Sequence, residues 1–172
     1  MSTCRRPHPT PPSASTLLRS HLRKEPVHVR HRPPSGPTAL LDAWLRLWNG
    51  GLSLTPEIVS DDFRLHSVMI DGSDSSSVHG ADGLTAYIRA GRAAFPDLKF
   101  VIGVPPLFDG AYLSVRWTAT GTYGGGFPGA EAAPGIVVTF TGTDTLLMRD
   151  GRFSEYWLNA DSLHMLRQLK AL

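Results

Sequence analysis

Apolar positions follow two different periods along this chain. Leu41, Trp44, Leu45 and Trp48 recur at i, i+3, i+4 and i+7, which places them on one face of a helix that stops at Gly50-Gly51. Thr55-Pro56-Glu57 offers an N-cap followed by proline at the first helical position, so a short second helix is expected to about Ser60. Phe63 to Ile70 reads as a strand with apolar residues on both faces, and Asp71 to Ser77 as a polar loop. Leu84, Tyr87, Ile88 and Phe95 mark a third helix, ended by Pro96. From there the period becomes two. Leu98, Phe100, Ile102 and Val104 form one strand, closed by Pro105-Pro106 and Asp109-Gly110. Leu113, Val115 and Trp117 alternate with Ser114, Arg116 and Thr118 in another. A glycine-rich loop, Gly121 to Gly135, follows, and Leu163, Leu166 and Leu169 share one side of a last helix.

Between that loop and the last helix, Val137 to Asn159 holds two alternating runs joined by Asp150-Gly151. Asp-Gly is a strong hairpin signal, because both central residues of the favoured tight turn need positive φ. An unbroken register from this turn sets Arg149 opposite Arg152, Leu146 opposite Glu155 and Asp144 opposite Trp157. One face then carries Val138, Phe140, Asp144, Leu146 and Met148 with Phe153, Glu155, Trp157 and Asn159. The other is a ladder of Thr139, Thr141, Thr143 and Thr145 with Ser154 and Tyr156. An apolar face interrupted by two acids and an amide resembles the wall of a ligand pocket, since a carboxylate there must be paired, protonated or put to use.

The order helix, helix, strand, helix, four strands, helix predicts an α+β domain over residues 37–172, with helices on one face of a mainly antiparallel sheet. Residues 1–36 differ in kind. They hold seven of the seventeen Lys and Arg, one acid, four of the seven His and seven of the fourteen Pro. A disordered basic leader is expected there, because a Pro-rich, apolar-poor segment cannot offset its ordering entropy. The basic excess belongs to this leader and the domain is mildly acidic, which argues against a nucleic-acid-binding surface. The single Cys4 excludes a disulfide framework. No run reaches the length of a membrane span, and no apolar secretory signal core is present, so a cytoplasmic protein is expected.

Asp144 leads the candidate chemistry. In an apolar wall its charged form is destabilised, which raises its pKa toward the range that moves protons from carbon acids. The alternative is a structural pair with Arg116 or Arg149. Glu155, on the same expected face, offers a second acid or a surface partner for arginine. Asp161 precedes the last helix as an acid of the site or as its N-cap. His66, with Val68 and Ile70 as expected same-face neighbours, is a cavity group or a satisfied core histidine. Trp44, Met69, Trp117, Phe140, Tyr156, Trp157 and Asn159 supply the surface for a flat, apolar ligand, Tyr156 only if a bulge turns it inward. His66, His79 and His164 lack ligand partners at helical or strand spacing, so no metal is expected. Gly124-Gly125-Gly126 lacks the Lys-Ser/Thr of a phosphate loop, and no Gly-x-Ser-x-Gly elbow occurs.

Trp48-Asn49, Asp62-Phe63 with His66, Phe95-Pro96-Asp97 and Gly151-Arg152-Phe153-x-Glu155-x-Trp157, in this order, resemble the SnoaL-like polyketide cyclases over about residues 38–170. These belong to the nuclear-transport-factor-two-like, cone-shaped α+β barrel superfamily. The resemblance implies a curved sheet forming a cone around a deep, mostly apolar cavity, with helices on its concave side. It also implies a homodimer, which the threonine ladder and Tyr156 on the convex face would join. It further implies aldol-type ring closure of a polyketide ester by an acid/base carboxylate, with no cofactor or metal. The family often has an acid where this chain has Leu158, and often histidine where it has Asp144. Three readings stay open: a cyclase- or isomerase-type enzyme on an apolar carbonyl substrate, an epoxide hydrolase-like relative, and a non-catalytic module that binds a small apolar metabolite or serves as a scaffold.

Overall fold

The computed structural model describes residues 36–172. Apart from Gly36, the expected leader lies outside the described residues. Helix α1, Pro37–Trp48, starts with proline at its first position and buries Leu40, Leu41, Ala43, Trp44 and Leu47. A 3₁₀ turn, Leu52–Leu54, leads into α2, Thr55–Ile58, and then into strand β1, Val59–His66. Helix α3, Gly80–Arg92, precedes β2, Lys99–Asp109, and β3, Tyr112–Thr122. Strands β4, Val137–Arg149, and β5, Arg152–Ala160, form the Asp-Gly hairpin, and α4, Ser162–Gln168, follows. The sheet runs β1-β5-β4-β3-β2, with only β1–β5 parallel, and it stays open at β1 and β2.

The helices cover one face of the sheet, as expected. Leu40, Trp44 and Leu47 of α1 and Leu84 and Ile88 of α3 pack with Phe63, Leu113, Val115, Leu146, Phe153 and Tyr156. A second cluster joins Phe95, Leu98, Phe100, Trp117 and Val138 to Met165 and Leu169 around α4. Polar ties align the ends of the elements. The Asn49 side chain accepts from Phe100 N at 2.8 Å and donates to Phe100 O at 3.1 Å. Arg92 Nη1 donates to Trp48 O at 2.8 Å and Leu98 O at 2.7 Å. Asp97 accepts from the main chain and hydroxyl of Thr122.

Three expectations need correction. Strand β1 begins at Val59 and ends at His66, so Val68 and Ile70 lie beyond it and are exposed, and His66 has no apolar same-face run after it. Strand β2 passes through Pro105-Pro106 instead of closing there. It is an edge strand, where missing N–H groups break no ladder, and its pairing with β3 is irregular on both sides of Val104.

The third concerns the hairpin. Asp150 and Gly151 take φ of 50° and 74°, as the tight turn requires. Arg149 faces Arg152 and Met148 faces Phe153, but Leu147 then faces Glu155, leaving Ser154 as an extra residue. This bulge shifts every later pair by one. Leu146 therefore faces Tyr156, Thr145 faces Trp157, and Asp144 faces Leu158. Tyr156 and Leu158 turn toward the core face with Asp144, while Glu155, Trp157 and Asn159 alternate with the threonine ladder. The shift places a phenol in the core and leaves the Glu155 carboxylate outside, where it needs no buried partner.

Candidate active site

Asp144 stands on the inner face of β4 between Val115 of β3 and Leu158 of β5, with 3% of its surface exposed. Three donors from three elements converge on it. Trp44 Nε1 donates to Oδ2 at 2.9 Å, and Trp117 Nε1 and Tyr156 Oη donate to Oδ1 at 2.7 and 2.8 Å. None is a cation. The alternative of a pair with Arg116 or Arg149 is corrected accordingly: Arg116 bonds Thr141, Thr143 and Asp161, and Arg149 lies 4.0 Å from Glu155. Burial pushes the Asp144 carboxyl up to about 6, and the three hydrogen bonds hold it from rising further. Oδ2 accepts one bond where Oδ1 accepts two, which leaves a lone-pair site on Oδ2.

Glycine at position 142 makes this arrangement possible. Trp117 lies opposite Gly142, and a Cβ there would overlap the Trp117 ring. Without it, the indole lies across β4 and reaches Asp144. Trp44 also packs edge-on against Tyr156, with centroids 4.9 Å apart.

A cavity of about 900 Å³ opens beside this cluster. Its wall includes Asp144, Tyr156, Trp117 and Phe140 from the sheet, Trp48 and Tyr87 from α1 and α3, and Met165 and Leu166 from α4. Met69 and Asn159 also line it, with Phe127 and Pro128 of the glycine-rich loop. Trp44 is buried, bonded to Asp144, and absent from this wall. Such a space suits an apolar ligand of drug-like size or larger, with a single deep carboxylate to orient it.

Glu155, His66 and Trp157 are assembled elsewhere. His66 Nε2 lies 2.6 Å from Glu155 Oε2, and its ring stacks on Trp157 at 4.9 Å and 14°. This cluster is on the threonine face, so Glu155 and Asp144 do not share a wall. Asp161 occupies the N-cap position of α4 without a side-chain cap bond; its carboxylate accepts from Thr141 and Arg116, which hold its pKa below the ordinary value. The sequence marks Tyr87 only as a position on the third helix. Burial, and then the Asp144 charge, raise its phenol pKa. A tyrosine on an apolar helix stripe carries a hydroxyl that must find a partner, and that was the available signal. Among the described residues no group of three or more His, Cys, Asp and Glu could hold a metal, and no helix is long and apolar enough to cross a membrane.

An α+β sheet with its helices on one side and a carboxylate set in an apolar cavity wall defines a small cavity-bearing protein. A family model described as SnoaL-like polyketide cyclase matches residues 38–169, and the chain belongs to that family. AclR from Streptomyces galilaeus, provisionally described as a hydroxylase, is 25% identical, with 78% of this chain and 85% of that one covered at a TM-score of 0.65. TsrD from Streptomyces laurentii is 24% identical over 78% and 95%, also at 0.65. IdmH from Streptomyces antibioticus, provisionally a polyketide cyclase, is 23% identical over 79% and 99%, at 0.68. No curated protein matches the chain. Family membership supports a cyclase-type role.

Proposed function

We propose that the chain is a cofactor-independent enzyme that closes a ring, or shifts a proton, on an apolar polyketide-like carbonyl substrate, with Asp144 as the acid/base group. The observation that carries this reading is a deeply buried carboxylate, held by neutral donors only and raised to about 6, in the wall of a cavity its own aromatics leave unfilled. A carboxylate near that value is ionised at neutral pH and still basic enough to take a proton α to a carbonyl. The resulting enolate carbon attacks a second carbonyl carbon of the same molecule, and Asp144 returns its proton to the new alkoxide. Trp44, Trp117 and Tyr156 act as positioning residues. The reading includes a cytoplasmic homodimer joined through the threonine face.

The test is a panel of aromatic β-keto methyl esters carrying a second carbonyl. Aldol closure gives a product of unchanged mass and altered retention. Asp144→Asn should slow closure by on the order of 10²–10⁴. Equal rates in variant and wild type would remove Asp144 from the mechanism. A non-catalytic binding module is the second reading, favoured by Leu158 in the cavity wall where family members often carry an acid. It requires tight ester binding with no closure by the wild type.

A further inference from the structure

The cavity holds two phenols that differ in their partners. Tyr156 is fully buried and donates to Asp144. Tyr87 Oη has no hydrogen-bond partner among the described residues. The polar side-chain atoms sealed off without a partner there are Trp48 Nε1 and Glu57 Oε2. Tyr87 Oη is not one of them, so it is open to the space before it, and Tyr87 is part of the cavity wall.

The phenol is also held in place. Leu84 and Ile88, on the same stripe of α3, are fully buried, and Arg92 ties the end of the helix to the main chain of Trp48 and Leu98. The Trp48 indole stands between the two phenols, edge-on to Tyr87 with centroids 6.1 Å apart and to Tyr156 at 6.2 Å. Tyr87 is close enough to Asp144 to feel its charge, which together with burial keeps the phenol protonated. A protonated donor without a partner and a buried carboxylate whose Oδ2 accepts only one hydrogen bond therefore line one largely apolar cavity from different elements.

We propose that Tyr87 is a catalytic residue that donates its hydroxyl proton in a hydrogen bond to the carbonyl oxygen of a bound enolisable ketone, while Asp144 removes the α proton. The inference rests on the Asp144 reading. In the step, the C–H bond breaks, its proton goes to Asp144 Oδ2, and its electron pair forms the C=C bond. The carbonyl π pair moves onto oxygen, where the Tyr87 hydroxyl stabilises the charge. The substrate class is narrowed to ketones whose oxygen and acidic carbon can reach Tyr87 and Asp144 together.

2-Tetralone in D₂O provides the test, with deuterium uptake at the α carbon followed by NMR. Wild type should catalyse exchange, Asp144→Asn should abolish it, and Tyr87→Phe should slow it by on the order of 10². 2-Naphthol, an enolate mimic, should bind Tyr87→Phe about tenfold or more weakly, while naphthalene, of the same shape without oxygen, binds both forms alike. Tyr87→Phe exchanging at the wild-type rate while Asp144→Asn is inactive would overturn the Tyr87 role and keep that of Asp144. Wild-type exchange in Asp144→Asn, or none in the wild type, would overturn both. Equal loss of naphthol and naphthalene binding would make Tyr87 a packing residue.

Discussion

Trp44 and Asp144, one hundred positions apart, are joined by a 2.9 Å hydrogen bond from indole to carboxylate that ties the first helix to the fourth strand. The bond makes the Asp144 charge part of the fold as well as of the site. On the proposed reading, any change at this acid is therefore read twice, in stability and in chemistry.

Stability should depend on pH through Asp144 with a definite sign. Its folded pKa, about 6, lies above the ordinary 3.8, so the folded state binds the proton more tightly than the unfolded chain. That stabilisation is complete below pH 3.8 and is lost as pH rises through 6, amounting to about 3 kcal/mol. Asp144→Asn lacks this titration, but its amide N–H meets a donor where the carboxylate oxygen met one, at a cost of about 1–3 kcal/mol. The variant should be less stable than wild type at pH 4 and close to it at pH 7, as measured by urea unfolding at both. A constant difference would show that Asp144 keeps its ordinary pKa.

Tyr156→Phe removes one of the donors that favour the ionised carboxylate. In wild type, the rate of proton transfer should rise with pH through a midpoint near 6, and in the variant that midpoint should move upward. Loss of a buried hydrogen bond should also cost about 1 kcal/mol. A pH–rate profile decides the matter; an unmoved midpoint would deny the Tyr156 hydroxyl an influence on the base.

Gly142→Ala should displace Trp117 from Asp144, since the added methyl overlaps the indole. Overpacking of this kind costs typically 1–3 kcal/mol. Melting temperature and tryptophan fluorescence should both change. An alanine variant with wild-type melting and emission would mean that the indole has another way to lie across the strand.

Glu155→Gln should leave ring closure or ketone exchange at the wild-type rate, because the carboxylate meets His66 and Arg149 on the opposite face. The partly exposed pair should contribute no more than about 1 kcal/mol. A loss of turnover comparable to that of Asp144→Asn would bring the outer face into the chemistry.

The homodimer reading predicts that Thr145→Glu, opposite Trp157 on the threonine face, yields a monomer by light scattering while the melting curve stays cooperative. A wild type that is itself monomeric at micromolar concentration would end that reading.

The order of the elements was legible because it rests on period and punctuation: the heptad-like spacing before Gly50-Gly51, the helical stripe of Leu84, Tyr87 and Ile88, and the Asp-Gly turn; α3 itself stops at Arg92, ahead of Phe95 and Pro96. Asp144 stood out for the same reason, as an acid in an apolar alternation. What the alternation did not reveal was the face of Tyr156, Glu155 and Trp157, because the bulge at Ser154 uses an ordinary residue with no glycine to announce it. The extent of β2 was hidden by Pro105-Pro106, whose effect depends on whether a neighbour strand lies on that side. Tyr87 was hidden by its own regularity: helical spacing marks it as packing, and only the cavity in front of it gives its hydroxyl a task.

Ser154 acts on β5 as an inserted letter acts on a reading frame. Upstream of it, the alternation counted from the Asp150-Gly151 turn is correct; downstream, every side chain is read on the other side. Deleting this one residue would send the Glu155 carboxylate and the Trp157 indole toward the cavity and carry the Tyr156 phenol out of reach of Asp144. The assignment of these side chains to the interior or the exterior surface thus depends on a count of residues, and a change of length at Ser154 would re-sort them while leaving every other residue of the strand the same.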